Sequence, residues 1–223
     1  MWCIQSYRRI LLSGLLRTPT GLMNLLQMTV LSYYFGNNGR TPYVHYMLLL
    51  GIPAFFGQLI AAGVAPKLAD KHGAANTFAK ANILAGLALL AAFALFLCRP
   101  QQLTQAMPFT LLILLLFCNM FCCGLVNTVQ SILIADAADQ TEKESGIRRD
   151  GIFVSGQSLL IKLSTGVSAL LQGLVFAISG FSGTAVSQIN RTLYAGADFA
   201  TDPSFAAPRF AMFFLFLCLP GIA

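Results

Sequence analysis

Residues 107–135 read MPFTLLILLLFCNMFCCGLVNTVQSILIA, from Met107 to Ala135 without one Asp, Glu, Lys, Arg or His. A bilayer core about 30 Å thick is crossed by about 20 apolar residues in a helix, so this stretch is long enough to span it. A barrel strand would be shorter and would alternate in polarity. Working outward from this run, further apolar windows lie at approximately 19–36, 43–68, 74–98, 151–181 and 208–223. Turn-rich connectors such as Gly36-Asn37-Asn38-Gly39 and Arg99-Pro100-Gln101-Gln102 separate them. The predicted fold is all-α: a polytopic membrane helical bundle of six spans over residues 19–223, entered from a cytoplasmic lead-in at 1–18.

Composition agrees with that reading. Hydrophobic residues make up 57% of the 223 and charged residues only 10%, against about a quarter charged in a soluble domain. Mean hydropathy is +0.71. An ordinary cytosolic enzyme, a disordered segment and a secreted disulfide scaffold are excluded. The net charge of +6 sits between apolar runs, so the expected partner is membrane lipid and not nucleic acid. Cys118, Cys122 and Cys123 invite a metal reading, but the chain has two histidines, His45 and His72, and no CxxC pair. The six cysteines are read as small buried hydrophobes, with no metal and no cofactor.

Orientation follows from the basic residues. Arg8, Arg9, Arg17, Lys67, Lys71, Lys80, Lys143, Arg148 and Arg149 fall on one side; Arg40, Arg99, Arg191 and Arg209 fall on the other. The positive-inside bias places the first group in the cytoplasm, as in a bacterial inner membrane. Arg8-Arg9 ahead of Ile10 could open a signal peptide, but Arg17 interrupts the run and no small-x-small site follows. The last window ends at Gly221-Ile222-Ala223 without a polar flank and is predicted to be a truncated span.

Polar side chains inside spans are costly unless they face a cavity or a partner. Asn119, Cys123, Asn127 and Gln130 recur at spacings of four, four and three on the fourth window; Thr20, Asn24, Gln27 and Tyr34 form a stripe on the first. Each stripe can glue helices together or line a wet cavity. The fifth window carries Gly151, Ser155, Ser158, Lys162, Gly166, Ala169 and Gly173 along one face. Lys162 lies about 16 Å into that helix, near the bilayer midplane, where a lysine needs a carboxylate or water. No carboxylate lies within any of the six windows. The third and sixth windows are nearly devoid of polar groups and are expected to face lipid.

A charged cluster, Asp136 to Asp150, precedes the fifth window. It can be a solvated connector. It can also be read as the Mg²⁺ site of a membrane prenyltransferase-like enzyme, with Asp136 and Asp139 one turn apart sharing a hard cation, although no second acidic cluster faces it.

The run Asp136-Ala-Ala-Asp139, then Ser145-Gly146-Ile-Arg148, then Gly151, Ser155 and Gln157-Ser158-Leu-Leu-Ile-Lys162 resembles the segment joining helices ten and eleven of the glycoside-pentoside-hexuronide:cation symporters, the melibiose-carrier group of the major facilitator superfamily. Asp70-Lys71-His72-Gly73 is similar to that superfamily's Asp-basic-x-Gly turn, with Pro66 in place of its leading glycine and Ala74-Ala75 in place of its basic pair. The resemblance implies the C-terminal half of a twelve-helix carrier, the six windows being helices seven to twelve. It implies symport of a sugar or glycoside with Na⁺ or H⁺ by alternating access, no enzymatic activity, and a missing N-terminal six-helix half that holds the principal carboxylates. A chain of half length can equally be an incomplete or nonfunctional fragment. The implied site residues are Lys162 at the center, with Asn127, Gln130, Ser155, Ser158, Asn24 and Gln27 from the polar faces. Asp136, Asp139 and Arg148, with Arg149 beside it, are the implied cytoplasmic gate, and Asp70, Lys71 and Gly73 the conformational turn.

Overall fold

A computed structural model describes residues 12, 20–37, 43–146, 150–178 and 183–222. Helix α1, Gly21–Val30, runs on through a π-helical turn, Leu31–Phe35. Then follow α2 (Val44–His72), α3 (Ala74–Cys98), α4 (Ala106–Ser145), α5 (Asp150–Ile178) and α6 (Gly183–Tyr194). A 3₁₀ turn, Pro203–Phe205, leads into α7 (Ala206–Phe213), a second π-helical turn (Phe214–Cys218) and α8 (Leu219–Ile222). Helix occupies part of each of the six predicted windows. Five helical stretches are long and apolar enough to cross a membrane: Val44–His72, Ala74–Cys98, Ala106–Lys143, Gly151–Ala177 and Pro203–Ile222. The first window is described as helix over 21–35 only, shorter than the other five. The lead-in at 1–18 lies, apart from Leu12, outside the described residues.

Small residues decide how the helices meet. On α2, Gly57, Ala61, Ala65 and Ala69 recur every fourth position and are buried, and the three alanines pack in one cluster with Leu125, Val126 and Val129 of α4. A Cβ on Gly124 would lie 2.7 Å from the Cβ of Ala61 and 3.0 Å from the Gln58 backbone. A Cβ on Gly57 would lie 3.1 Å from the Phe117 carbonyl oxygen. Two backbones at this distance gain dispersion contacts, which drive helix association where the surroundings are as apolar as the side chains.

Three boundaries differ from the sequence reading. Helix α2 continues past 68 to His72, because no breaker intervenes before Gly73. That glycine alone joins α2 to α3, with φ 81° and ψ 139°, a conformation essentially restricted to glycine. Helix α4 runs through the acidic cluster to Ser145, 40 residues or about 60 Å, twice the bilayer core. Its extension is held by Ala137 and Ala138, which pack with Ile134 and with Phe153 of α5, and it ends at Gly146 in the left-handed conformation. The predicted 182–207 connector contains α6, whose Ile189 and Leu193 are buried. A search for apolar windows cannot find a 12-residue helix with one apolar stripe.

The expectation that the sixth window faces lipid is also corrected, while the third keeps an exposed apolar face at Ile83, Leu84 and Leu87. In Pro203–Ile222, 67% of the apolar window is buried inside the protein, against 6% in Gly151–Ala177. Phe213 stacks on Phe96 of α3 with centroids 4.2 Å apart and planes 10° apart, and meets Tyr34 edge-on at 5.0 Å. Lipid and protein interior are equally apolar, so a helix without polar groups fits either.

One end of the bundle is tied by polar contacts. The Tyr33 hydroxyl donates to Asn190 Oδ1 (3.1 Å), the Tyr34 hydroxyl to the Pro100 carbonyl (2.9 Å), and the Phe199 amide to Asn37 Oδ1 (2.9 Å). Arg209, buried at the start of α7, donates to the Phe199 carbonyl (3.0 Å) and to that of Ala200. These bonds bring together the ends of α1, α3 and α7 with α6, the end that the basic-residue count places outside. The Asp70–Gly73 turn and the Asp136 extension lie at the opposite helix ends.

Candidate functional site

The stripes on α1 and α4 separate into glue and lining. Asn119, only 1% exposed, donates Nδ2 to the Ala85 carbonyl of α3 at 3.2 Å, an interhelical tie. Cys123, one turn on, approaches Asn119 Oδ1 at 4.0 Å. Asn127 is instead exposed and Gln130 half-buried. Asn24 and Gln27 of α1 are exposed as well.

Of the hollows between the helices, two adjoin one another at the amide stripes. The larger, about 500 Å³, is bounded by Asn24 of α1, Gln58 of α2, Asn82 of α3, Asn119 and Asn127 of α4 and the last turn at Pro220–Ile222. The smaller, about 260 Å³, lies between α1, α2, α4 and the Phe213–Phe216 stretch. Asn24, Gln58, Met23 and Met120 border both. The walls carry amides and apolar groups and no charged side chain among the described lining residues. Gln58 Nε2 reaches Met120 Sδ at 3.4 Å at the junction, and Asn82 Nδ2 donates to the Phe78 carbonyl of its own helix at 2.9 Å. Gln58 was not singled out in the sequence, where it is one amide in an otherwise apolar window. Asn82 sits in the window expected to face lipid.

The fifth-window stripe falls elsewhere. Phe153, Gln157, Leu160, Ser164, Ser168, Leu171 and Val175 form the covered or half-covered face of α5. Gly151, Ser155, Ser158, Lys162, Gly166, Ala169 and Gly173 each precede one of these by two positions, about 200° around the helix, and all seven are exposed. The structure thus brings Asn24, Gln27 and Asn127 to the hollows and holds Ser155, Ser158 and Lys162 on a face turned away from the other described helices. A Cβ on Gly151, Gly166 or Gly173 would meet nothing within 4 Å, whereas α5 touches α1 closely on its other side, where a Cβ on Gly21 would lie 2.9 Å from Ser168 Oγ. Among the described residues Lys162 has no hydrogen-bond or ion-pair partner.

Asp136 and Asp139 are exposed on the α4 extension; Arg148 and Arg149 lie outside the described residues. Asp70, Lys71 and Gly73 are exposed at the α2–α3 elbow. That elbow is closed by Thr77 Oγ1 donating to the Leu68 carbonyl (3.1 Å) and Asn76 Nδ2 to the His72 carbonyl (3.2 Å). Among the described residues no group of three His, Cys, Asp or Glu could hold a metal ion. Cys122 is buried, Cys118, Cys123 and Cys218 are half-buried, and Cys98, expected to be buried, is exposed at the end of α3.

The described helices thus form a bundle, five of whose helical stretches are long and apolar enough to cross a membrane, with amide-lined hollows between them and no charged side chain among the described lining residues. The chain belongs to the MFS/sugar transport protein family, whose model matches residues 5–195. That family is one of transporters. The chain is also 25% identical over 189 residues to an uncharacterized 29.9 kDa protein in the crtE 3′ region of Pseudescherichia vulneris. The match covers 85% of this chain and 62% of that protein, so the chain spans less than two thirds of the curated relative's length. No solved structure matches.

Proposed function

We propose that the chain supplies a six-helix half, the C-terminal one, of a secondary carrier that moves a sugar or glycoside with Na⁺ or H⁺ by alternating access, in the manner of the melibiose-carrier group, in a bacterial inner membrane. One observation carries this reading: Asn24, Gln58 and Asn127, from three different helices, present exposed amides to one uncharged hollow. An amide offers two N–H donors and a carbonyl acceptor, which matches a sugar hydroxyl that both donates and accepts. Exposed to acyl chains instead, the same groups would be costly.

The α5 stripe supports the half-carrier part of the proposal. A lysine about 16 Å into a spanning helix, on a face that no described helix covers, calls for a second set of helices bringing a carboxylate, or for substrate hydroxyls or cavity water. Rocking of two halves about such a midplane site is how carriers of this kind alternate access. Asp136 and Asp139 then act with Arg148 and Arg149 as a cytoplasmic gate, and the Gly73 elbow as the conformational turn.

The test is uptake of labelled neutral sugars into vesicles carrying this chain together with a first six-helix half, under imposed Na⁺ or proton gradients. Asn127→Ala and Gln58→Ala should each lower uptake about tenfold or more. Lys162→Met should abolish gradient-driven uptake and Lys162→Arg restore part of it, a planar fork being a poor substitute for a compact ammonium. Asp139→Asn should raise cytoplasmic accessibility of the hollow. Parent-like uptake in the two amide variants would sink the site, and uptake indifferent to both gradients would sink the coupling.

A further inference from the structure

The two hollows are stacked along the helices. The smaller is walled by Val30 at the end of α1, Leu31 and Phe35 of the π-helical turn, and Leu50 and Gly51 near the start of α2, so it lies toward the clasped end at α6. The larger reaches Asn82 early in α3, Asn127 in the second half of α4 and the last turn at Pro220–Ile222, so it lies toward the Asp70–Gly73 elbow. Rings close the clasped end of the smaller one. Phe35, in its wall, meets Tyr46 at 4.9 Å and Phe109 at 5.9 Å, and those two meet at 5.3 Å.

A pair of side chains stands between the hollows. Gln58 and Met120 each lie 14 residues, about 21 Å, into helices that start at the clasped end. Both border both hollows, and they touch through Gln58 Nε2 and Met120 Sδ at 3.4 Å, with Met23 and Asn24 of α1 also in both walls. A thioether is a weak acceptor, and methionine turns about three bonds, so this contact opens and recloses with little loss.

We propose that Gln58 and Met120 form a movable partition across the solute path of this half, closed in this structure, which lets a solute pass from one hollow to the other only when the Met120 side chain turns aside. Its place on a solute path rests on the carrier reading. The partition itself is made wholly of this chain, so it can be tested without a second half.

The test is the rate at which a charged, membrane-impermeant methanethiosulfonate reacts with single cysteines in the full chain in lipid nanodiscs, all six native cysteines being replaced by alanine. Ala54→Cys reports the smaller hollow and Asn82→Cys the larger. With access setting the rate, Ala54→Cys should react about tenfold more slowly than Asn82→Cys, and Met120→Ala should remove most of that difference. Met120→Leu, which fills the space without an acceptor, should remove less of it. The Asn82→Cys rate should stay constant, which reports an intact fold. If Met120→Ala alters both rates, Gln58→Ala, which opens the same contact from α2, decides between a moved partition and a disturbed bundle. Equal rates at the two reporters in the parent, or an Ala54→Cys rate indifferent to both Met120→Ala and Gln58→Ala, would overturn the partition while leaving the carrier reading in place. The carrier reading fails separately, on uptake in vesicles that hold both halves.

Discussion

The α2–α4 seam and the outer face of α5 are written in nearly the same residues and live in opposite surroundings. Gly57, Ala61, Ala65 and Ala69 repeat every fourth position and are buried, with no room for an added carbon at Gly57. Gly151, Gly166, Ala169 and Gly173, with Ser155, Ser158 and Lys162 between them, follow spacings of three and four and are exposed, with no described atom within 4 Å of a Cβ added at any of the three glycines. In the first case small size brings two backbones together; in the second the same property leaves a smooth face with none of the described residues on it. A row of small residues therefore says that something can come close, and only the neighbours say what does.

The strongest way to break this contrast is to add volume on the tight side. Gly124→Leu sets a side chain where a Cβ alone would stand 2.7 Å from Ala61, and should destabilise the bundle by about 3 kcal/mol or more. Thermal aggregation in detergent and membrane abundance would both report it, and parent-like values would mean the seam is looser than described. The outer clasp is the next largest expectation. Arg209→Met removes the donor to the Phe199 and Ala200 carbonyls, at about 1.5–3 kcal/mol for hydrogen bonds from a charged group. Hydrogen exchange in 197–205 should accelerate while the α2–α4 seam stays protected; unchanged exchange would remove Arg209 as the tie.

Acid should loosen the same end by a smaller amount. Asp202 accepts from the Ser204 hydroxyl (2.7 Å) and the Ser204 amide (2.9 Å). These bonds, the hydroxyl's first, hold its carboxyl below the usual aspartate range. Its folded pKa thus lies below its unfolded one, so the contribution is present above the ordinary aspartate pKa and is lost as pH falls through the depressed value. Exchange of the Ser204 amide, corrected for intrinsic rates, should rise on acidification in the parent and show no such step in Asp202→Asn; a step in both would assign it to another group. The smallest expected change is at the open face. Gly166→Leu should alter the stability of this chain by no more than about 0.5 kcal/mol, and a loss comparable to that of Gly124→Leu would show that α5 is covered after all.

Much of the helical plan was legible in the sequence because membrane helices must be long and apolar, which composition alone records. Met107–Ala135, for instance, lies wholly within α4. The ends were less legible. Helix α4 persists to Ser145 because Ala137 and Ala138 meet Phe153, a contact made only once the next helix folds back, and α6 is held by Tyr33 and by the burial of Ile189 and Leu193. Of the candidate site, the amides at Asn24, Gln27 and Asn127 could be picked out because polar groups are rare in such windows. Gln58 could not be weighed without knowing which way α2 turns.

By itself the sequence determined that the chain is a membrane bundle and which few side chains are too polar for lipid, since both follow from the cost of moving a group from water into hydrocarbon. It could not determine which apolar faces meet protein and which do not. Pro203–Ile222 and Gly151–Ala177 are both apolar enough to cross a membrane, yet one is mostly buried and the other almost bare. Nor could it separate Asn119, spent on Ala85, from Asn127, turned to the hollow. Only tertiary structure decides those, because between lipid and protein the difference lies in shape and close packing and not in polarity.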